Sequence, residues 1–415
     1  MMFFRRLFIH SQPDSFWFRI ASISLIIFFV TLGDSILSYW VPTFIQESLN
    51  SAFFMGLIMG FSSLVGLGAD FILPQILKGI TVKKLMTRAI LASITCSLLL
   101  LIAIKIPIVI FLLGAMAAWG IYYELIAFSN HQLVATYVPK YGHASAWGWI
   151  MMFNSISDFI GPMLAVWLIA AGSQQLVLFA MSFTLIALFI ALATKRHHDR
   201  PLEVELHHIN FGAELKKWAS LSRHVWQILI LSLTLGIIDS VFWTTGTVWS
   251  EALSQQNFWG GMLLPFYSLP SIPLGIFLAR KKILSGKKKI AEILTLISGL
   301  TLMSLAFINS LVGILLIILL SSILLSIAFP LADAVYSDII ARMGKQDQHL
   351  IGLSNSTFSI AYIIGPVLAG LTAQFFGEQK TFAVLGLVVT LISAFLLLTT
   401  PKKLKLPQTE IREWN

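Results

Sequence analysis

The chain has 415 residues, of which 57% are hydrophobic and only 11% charged. So little charge excludes a soluble globular protein of this size, whose surface needs about a quarter of its residues charged. The net charge of +9 would suggest a nucleic-acid partner in a soluble chain. In an apolar one it indicates a basic cytoplasmic face, with no nucleic acid expected.

The apolar residues fall in blocks of about 20, the length a helix needs to cross a hydrocarbon core. Hydropathy and breakers place twelve spans, at 20–42, 53–73, 85–104, 107–130, 146–171, 176–194, 226–249, 258–279, 290–309, 311–334, 350–376 and 380–400. The start, MMFFRRLFIHSQPDSFWFRI, is basic and aromatic, but no small-residue cleavage site follows the first apolar run, which is therefore read as a retained helix. That run holds Asp34, in TLGDSILSYWVP. A charge at a helix centre costs at least ~2.5–3.5 kcal/mol, so such a residue faces an internal cavity or a partner. Other acids well inside spans are Glu124 (span 4), Asp158 (span 5), Asp239 (span 7) and Asp333 (span 10), whereas spans 3, 6, 9 and 12 carry none in their interiors. The 3–4, 9–10 and 11–12 connections are short enough to make hairpins. The single cysteine, Cys96, cannot form a disulfide within one chain.

The longest polar interval, 195–225, lies near the middle. Its KRHHDRPLEVELHHIN stretch carries His197, His198, His207 and His208, read as a solvated linker rather than a metal site, since nothing holds the four together. In the following FGAELKKWASLSRHV, Phe211, Leu215 and Trp218 share one face, predicting an interfacial amphipathic helix. Trp17, Trp40, Trp249 and Trp259 fall near span ends, where aromatic belts are expected. With the N-terminus in the cytoplasm, all of the 28 Lys and Arg except Lys105 and Lys380 fall on the inner side. That bias places both termini in the cytoplasm and requires an even number of spans.

The chain also repeats itself. IGPMLA at 160–165 returns as IGPVLA at 364–369, an offset of 204 shared by Glu47 and Glu251, Gly56 and Gly260, and Lys83-Lys84 and Lys287-Lys288. Asp34-Ser35 returns as Asp239-Ser240 with a one-residue slip. The division is an N-terminal half at 1–194, a linker at 195–225 and a C-terminal half at 226–415. Six spans per half make this a parallel repeat about an axis along the membrane normal.

Twelve spans in two six-span halves, with a polar middle loop and both ends inside, resemble the major facilitator superfamily along essentially the whole chain. Local motifs are partly kept. Gly66 and Asp70 match the start of the family's loop 2–3 motif, while the basic residues come late, at Lys78, Lys83 and Lys84. Gly161-Pro162 matches the span 5 Gly-Pro motif associated with antiporters, without its later glycines, and Gly365-Pro366 with Gly370 is closer. The span 4 arginine common in drug:proton antiporters is replaced by the WGIYYELIAF context of Glu124. The resemblance implies an all-α membrane fold of two pseudo-symmetric six-helix bundles, with spans 1, 4, 7 and 10 lining a cavity.

Helical spacing extends each acid into a stripe: Thr31, Asp34 and Ser38; Gly120, Glu124 and His131; Asn154, Asp158 and Gly161; Gly236, Asp239, Trp243 and Gly246; Asp333 and Ser337; Asn355, Ser359 and Tyr362. No Lys or Arg lies deep in any span, so these acids lack a fixed cation. A carboxyl in low dielectric without one tends to hold a proton until a cation approaches, and several together titrate as a set. The candidate substrate- and proton-binding residues are thus Asp34, Ser38, Glu124, Asn154, Asp158, Asp239, Trp243, Asp333, Asn355 and Tyr362. Gly66, Asp70, Gly161, Pro162, Arg342, Gly365 and Pro366 are assigned to gating or conformational change, with a salt bridge from Asp333 to Arg342 an alternative to substrate contact. No metal site, cofactor or enzymatic constellation is expected, and the absence of a phosphate-binding loop argues against ATP-driven transport. The expected function is secondary transport by alternating access, coupled to a proton or other ion gradient, with efflux of cationic or amphipathic compounds leading. A proton-coupled symporter for a sugar or other neutral nutrient is the alternative, and a non-transporting receptor or channel a remote one. The expected setting is the cell (inner) membrane, as a monomer, with a small-molecule substrate and the lipid bilayer as partners.

Overall fold

A computed structural model describes residues 15–76, 80–106, 108–137, 143–193, 211–280, 286–340, 342, 347–399 and 401. The described elements are helical. In chain order they are α1 (Ser15–Leu49), α2 (Ala52–Ile76), α3 (Val82–Lys105), α4 (Val109–Tyr137), α5 (His143–Ile169), α6 (Ser173–Ala193), α7 (Phe211–Phe242), α8 (Thr245–Gln256), a 3₁₀ turn (Phe258–Met262), α9 (Leu263–Ser268), α10 (Ser271–Arg280), α11 (Lys287–Met303), a second 3₁₀ turn (Ser304–Phe307), α12 (Leu311–Ile340), α13 (Asp347–Phe376) and α14 (Glu378–Thr399). Eleven stretches among the described residues are long and apolar enough to cross a membrane, making this an all-α polytopic membrane protein. The hairpin at Gly377 turns through a φ of 81°, a conformation that favours glycine.

The remaining span, read from sequence as one helix over 258–279, is a relay of the 3₁₀ turn, α9 and α10. Pro265, Pro270 and Pro273 explain the break, because each removes a backbone donor and Pro270 sits at the joint between α9 and α10. Span 7 differs too. The segment 211–225, read as a separate interfacial helix, is the leading end of α7. Leu221, Val225, Ile228, Leu231, Leu235, Ile238 and Phe242 are all buried, at spacings of three and four, so one apolar stripe runs through both segments without a breaker. Trp218, on the predicted apolar face, packs on α13 at Gly352. Trp40 and Trp249 are buried in the bundle, unlike the exposed Trp259. The histidine tract lies outside the described residues.

The halves meet through small residues. α2 and α13 form the most extensive packing in the fold. A Cβ at Gly56 would sit 2.1 Å from the Pro366 carbonyl, and one at Gly370 would sit 2.3 Å from the Ala52 carbonyl. Backbones in such contact are held by close packing rather than by the hydrophobic effect, which is weak between helices in lipid. Gln374 of α13 also caps α2, its Oε1 accepting from the Ala52 N–H at 2.9 Å and the Ser51 hydroxyl at 3.2 Å. At the same end the Gln46 amide donates to Glu378 at 3.4 Å and Tyr39 donates to Ser250 at 3.1 Å. These bonds tie α1 and α2 to α8, α13 and α14.

The repeated motifs pack on each other. A Cβ at Gly161 would lie 2.4 Å from Ser35 Cβ, and one at Gly365 would lie 1.9 Å from Ser240 Oγ. The Gly of each Gly-Pro thus receives the Ser of its own half's Asp-Ser. Replacing Gly365→Ala should cost about 1–3 kcal/mol by overpacking, seen as a lower melting temperature in detergent. Adding Ser240→Ala should recover most of it, because the remaining neighbour, Ser240 Cβ, would be 3.2 Å away.

Candidate functional site

A cavity of about 430 Å³ opens between the halves, walled by α1, α2, α4, α5, α7, the α7–α8 junction and α13. Asp34 reaches it from the middle of α1. The Trp119 indole N–H donates to its Oδ1 at 2.6 Å and the Tyr123 hydroxyl to its Oδ2 at 2.9 Å. Trp119 and Tyr123 lie one turn apart on α4, so one helix face supplies both donors. Asp239 of α7 is held in the same way by two phenols: Tyr267 of α9 donates to Oδ1 at 2.6 Å, and Tyr362 of α13 donates to Oδ2. Where the sequence showed no basic partner, the structure supplies neutral donors, one to each oxygen. The carboxylate charge is shared but not cancelled, which leaves its other lone pairs free for a cation.

Asp158 accepts from the Ser35 hydroxyl at 2.6 Å. Asp158 and Tyr362 are themselves separated by the repeat offset of 204. In each half, the residue one turn before Gly-Pro therefore bonds to the Asp-Ser pair, to the serine in the first and to the aspartate in the second. Glu124 lines the cavity over α2, where Gly66 makes room: a Cβ there would sit 3.0 Å from Glu124 Oε1. Gly120 lets α4 touch α2, since its Cβ would meet the Ser62 carbonyl at 2.0 Å. Asn154 lines the wall with a buried Oδ1 lacking a hydrogen-bond partner. α7 ends one turn after Asp239, and Trp243 and Thr244 at that break face the cavity.

Of the sequence candidates, Asp34, Ser38, Glu124, Asn154, Asp158, Asp239, Trp243 and Tyr362 meet at this cavity, with Gly66 and Pro366 in its wall. Gly161, Pro162 and Gly365 are buried away from its lining. Asp333 and Asn355 are exposed on α12 and α13, outside the lining, so span 10 does not contribute to the wall as the resemblance implied. An ion pair joins Asp338 of α12 to Lys287 at 2.7 Å, and Arg342 is exposed beyond α12. Asp70 lies in α2, its side chain outside the described residues. His131 sits outside the lining, its ring against Trp147 at 4.7 Å. Sequence reasoning missed Trp119, Tyr123 and Tyr267. Reading the Glu124 stripe for aromatics as well as acids would have found the first two; Tyr267 lies on the broken span and carries no such signal.

Among the described residues that line the cavity there are four carboxylates and no Lys, Arg or His. Hydroxyls of Thr31, Ser38, Ser62, Ser63 and Ser359 and the rings of Trp119, Tyr123, Trp243, Phe358 and Tyr362 complete it. The lining is acidic and aromatic at once.

The sequence profile of the Major Facilitator Superfamily matches residues 23–346 and 261–414. No curated protein matches the sequence. Among solved structures, the chain resembles that of the human organic anion transporter MFSD10 (TETRAN), at 17% identity and a TM-score of 0.64, over 91% of this chain and 98% of that one. It resembles a structure described as giving insight into substrate recognition in proton dependent oligopeptide transporters, at 12% identity and a TM-score of 0.72, over 95% and 99%. A third is a point mutant of the nucleoside transporter NupG, at 11% and 0.69, over 92% and 100%. At these identities the likeness is one of fold.

The donors to Asp239 give a direct test of the geometry. Tyr267→Phe should cost about 1.5–3 kcal/mol, the worth of a hydrogen bond to a charged group. In an Asp239→Leu background the same change should cost well under half as much, read as a double-mutant cycle of melting temperatures.

Proposed function

This chain belongs to the Major Facilitator Superfamily, and from that membership and the cavity lining we propose that it is a secondary transporter exchanging cationic, amphipathic compounds for protons. The observation that carries the reading is the pairing of four carboxylates with aromatic rings and no basic residue in one described wall. A lipophilic cation would find charge at Asp34 and Asp239 and flat apolar faces at Trp119, Trp243 and Phe358, where cation–π attraction adds about 0.5–2 kcal/mol. An anion would find only repulsion, so the organic-anion cargo of one structural relative does not carry over.

Asp34 and Asp239 are the proposed coupling groups. Each can hold either a proton or the positive end of a substrate, and that competition couples the two fluxes. Asp158 lines the same cavity, and acids that interact titrate as a set rather than singly. Transport follows alternating access, the halves rocking about the α2–α13 crossing. With both termini in the cytoplasm, the turn between α1 and α2 and the hairpin at Gly377 face outward. The hydroxyl-rich lining supports one second reading, proton-coupled uptake of a sugar or similar neutral nutrient.

In proteoliposomes with an imposed pH gradient, wild-type protein should drive flux of a fluorescent lipophilic cation, and Asp34→Asn or Asp239→Asn should reduce it at least about tenfold, or 1.4 kcal/mol. Wild-type flux in both variants refutes the coupling role. Stabilisation in detergent by sugars but by no lipophilic cation favours the uptake reading.

A further inference from the structure

The cavity wall has a hydrogen-bond direction as well as a charge. A donor that already serves a protein acceptor is spent for a ligand, and many of the wall's donors are so engaged. The Trp119 N–H and the Tyr123 hydroxyl go to Asp34, at 2.6 and 2.9 Å, and the Tyr362 hydroxyl goes to Asp239. The small hydroxyls turn back on their own helices. Thr31 donates to the Ile27 carbonyl at 2.8 Å, Ser62 to the Met59 carbonyl at 2.7 Å and Ser359 to the Asn355 carbonyl at 3.3 Å.

Acceptors remain in surplus. A carboxylate offers about four lone-pair sites, and the bonds above fill one on each oxygen of Asp34 and Asp239 and one on Asp158. The surplus extends into the wall, where Asn154 Oδ1 is buried without a donor among the described residues. With the Trp243 N–H and the Ser63 hydroxyl counted toward a ligand, acceptor sites still outnumber donors. This direction separates kinds of ligand. An ammonium that carries N–H groups brings charge and donors together, and its bonds to a carboxylate are of the strong, charge-assisted kind. A quaternary ammonium gains from the rings of Trp119, Trp243 and Phe358, but it displaces water from carboxylates and gives them no bond in return. A sugar's oxygens accept as well as donate, and as acceptors they would meet a wall short of donors.

We propose that the cavity selects protonated amines bearing N–H groups, primary or secondary, over quaternary ammonium ions and neutral polyols. The selection rests on the reading of the cavity as a cation site, and it holds whether or not transport is coupled to protons. Its origin is the wall's shortage of donors, which only a ligand rich in donors makes good.

The test is calorimetric titration of the protein in detergent with naphthylmethylamine and with its trimethylated, quaternary derivative, at a pH where both carry the same charge. The added methyl groups bring apolar surface, so hydrophobic burial alone favours the quaternary compound. The primary amine should nevertheless bind at least about tenfold tighter, the worth of one hydrogen bond to a charged group. Asp34→Asn and Asp239→Asn each replace an acceptor-only group with an amide that also donates. Each should shrink that ratio, and either variant suffices if the other fails to fold. Equal or tighter binding of the quaternary compound overturns the proposal and leaves the cation reading standing. A ratio kept in both variants overturns it as well, because the selection then lies outside these carboxylates. Binding of sucrose while neither cation binds removes the cation reading, and the proposal with it.

Discussion

Everything in the centre of this molecule follows from the need to solvate carboxylates inside an apolar bundle. A bare carboxylate there would cost several kcal/mol, and no Lys or Arg is among the described residues that line the cavity. The solution is aromatic. Asp34 draws α4 onto α1 through Trp119 and Tyr123, and Asp239 draws α9 and α13 onto α7 through two phenols. Each bond is also an inter-helix contact, so the cavity carboxylates also set the position of the helices. This links site chemistry to conformation: a proton or cation arriving at Asp239 acts on a carboxylate that ties three helices together. The joints of the second half, the break after Phe242 and the relay through α9, lie where those ties are made.

Small residues provide the complementary constraint. Gly56 and Gly370 bring α2 and α13 into backbone contact, Gly66 and Gly120 do the same for α2 and α4, and Gly161 and Gly365 admit a serine from the paired helix. Lipid offers little hydrophobic drive for helix association, so shape carries the burden. The aromatic donors are large and polar and the crossings small and apolar. Together they leave a cavity where neither fills the space.

Much of this was legible in sequence because it rests on composition and repetition. Charge in an apolar span has few explanations, and the offset of 204 identified the Asp-Ser and Gly-Pro pairs as counterparts before any contact was known. What could not be read was anything that depends on helix rotation or on a break. Asp333 looks like Asp239 in a sequence window yet lies outside the cavity lining, exposed on α12. The α7 extension was hidden by its charges, since Lys216, Lys217 and Arg223 mimic an interfacial helix while the buried stripe through Leu221 and Val225 runs on beneath them.

The repeat also shows where the halves have diverged. At the position one turn before Gly-Pro, the first half keeps an acid, Asp158, bonded to the serine of Asp-Ser, and the second half keeps a phenol, Tyr362, bonded to the aspartate. Exchange of acid for phenol at one duplicated site moves a negative charge out of the second half and turns its residue from acceptor to donor. The first half therefore gathers Asp34, Glu124 and Asp158 around the cavity, and the second presents Asp239 alone among the lining acids. Three of the four lining acids thus come from the first half, and Trp243 of the second half joins them in the wall. A second divergence adds to it, since the counterpart of Glu124 at the offset of 204 is Ala328, and the two together make the lining acids unequal between the halves.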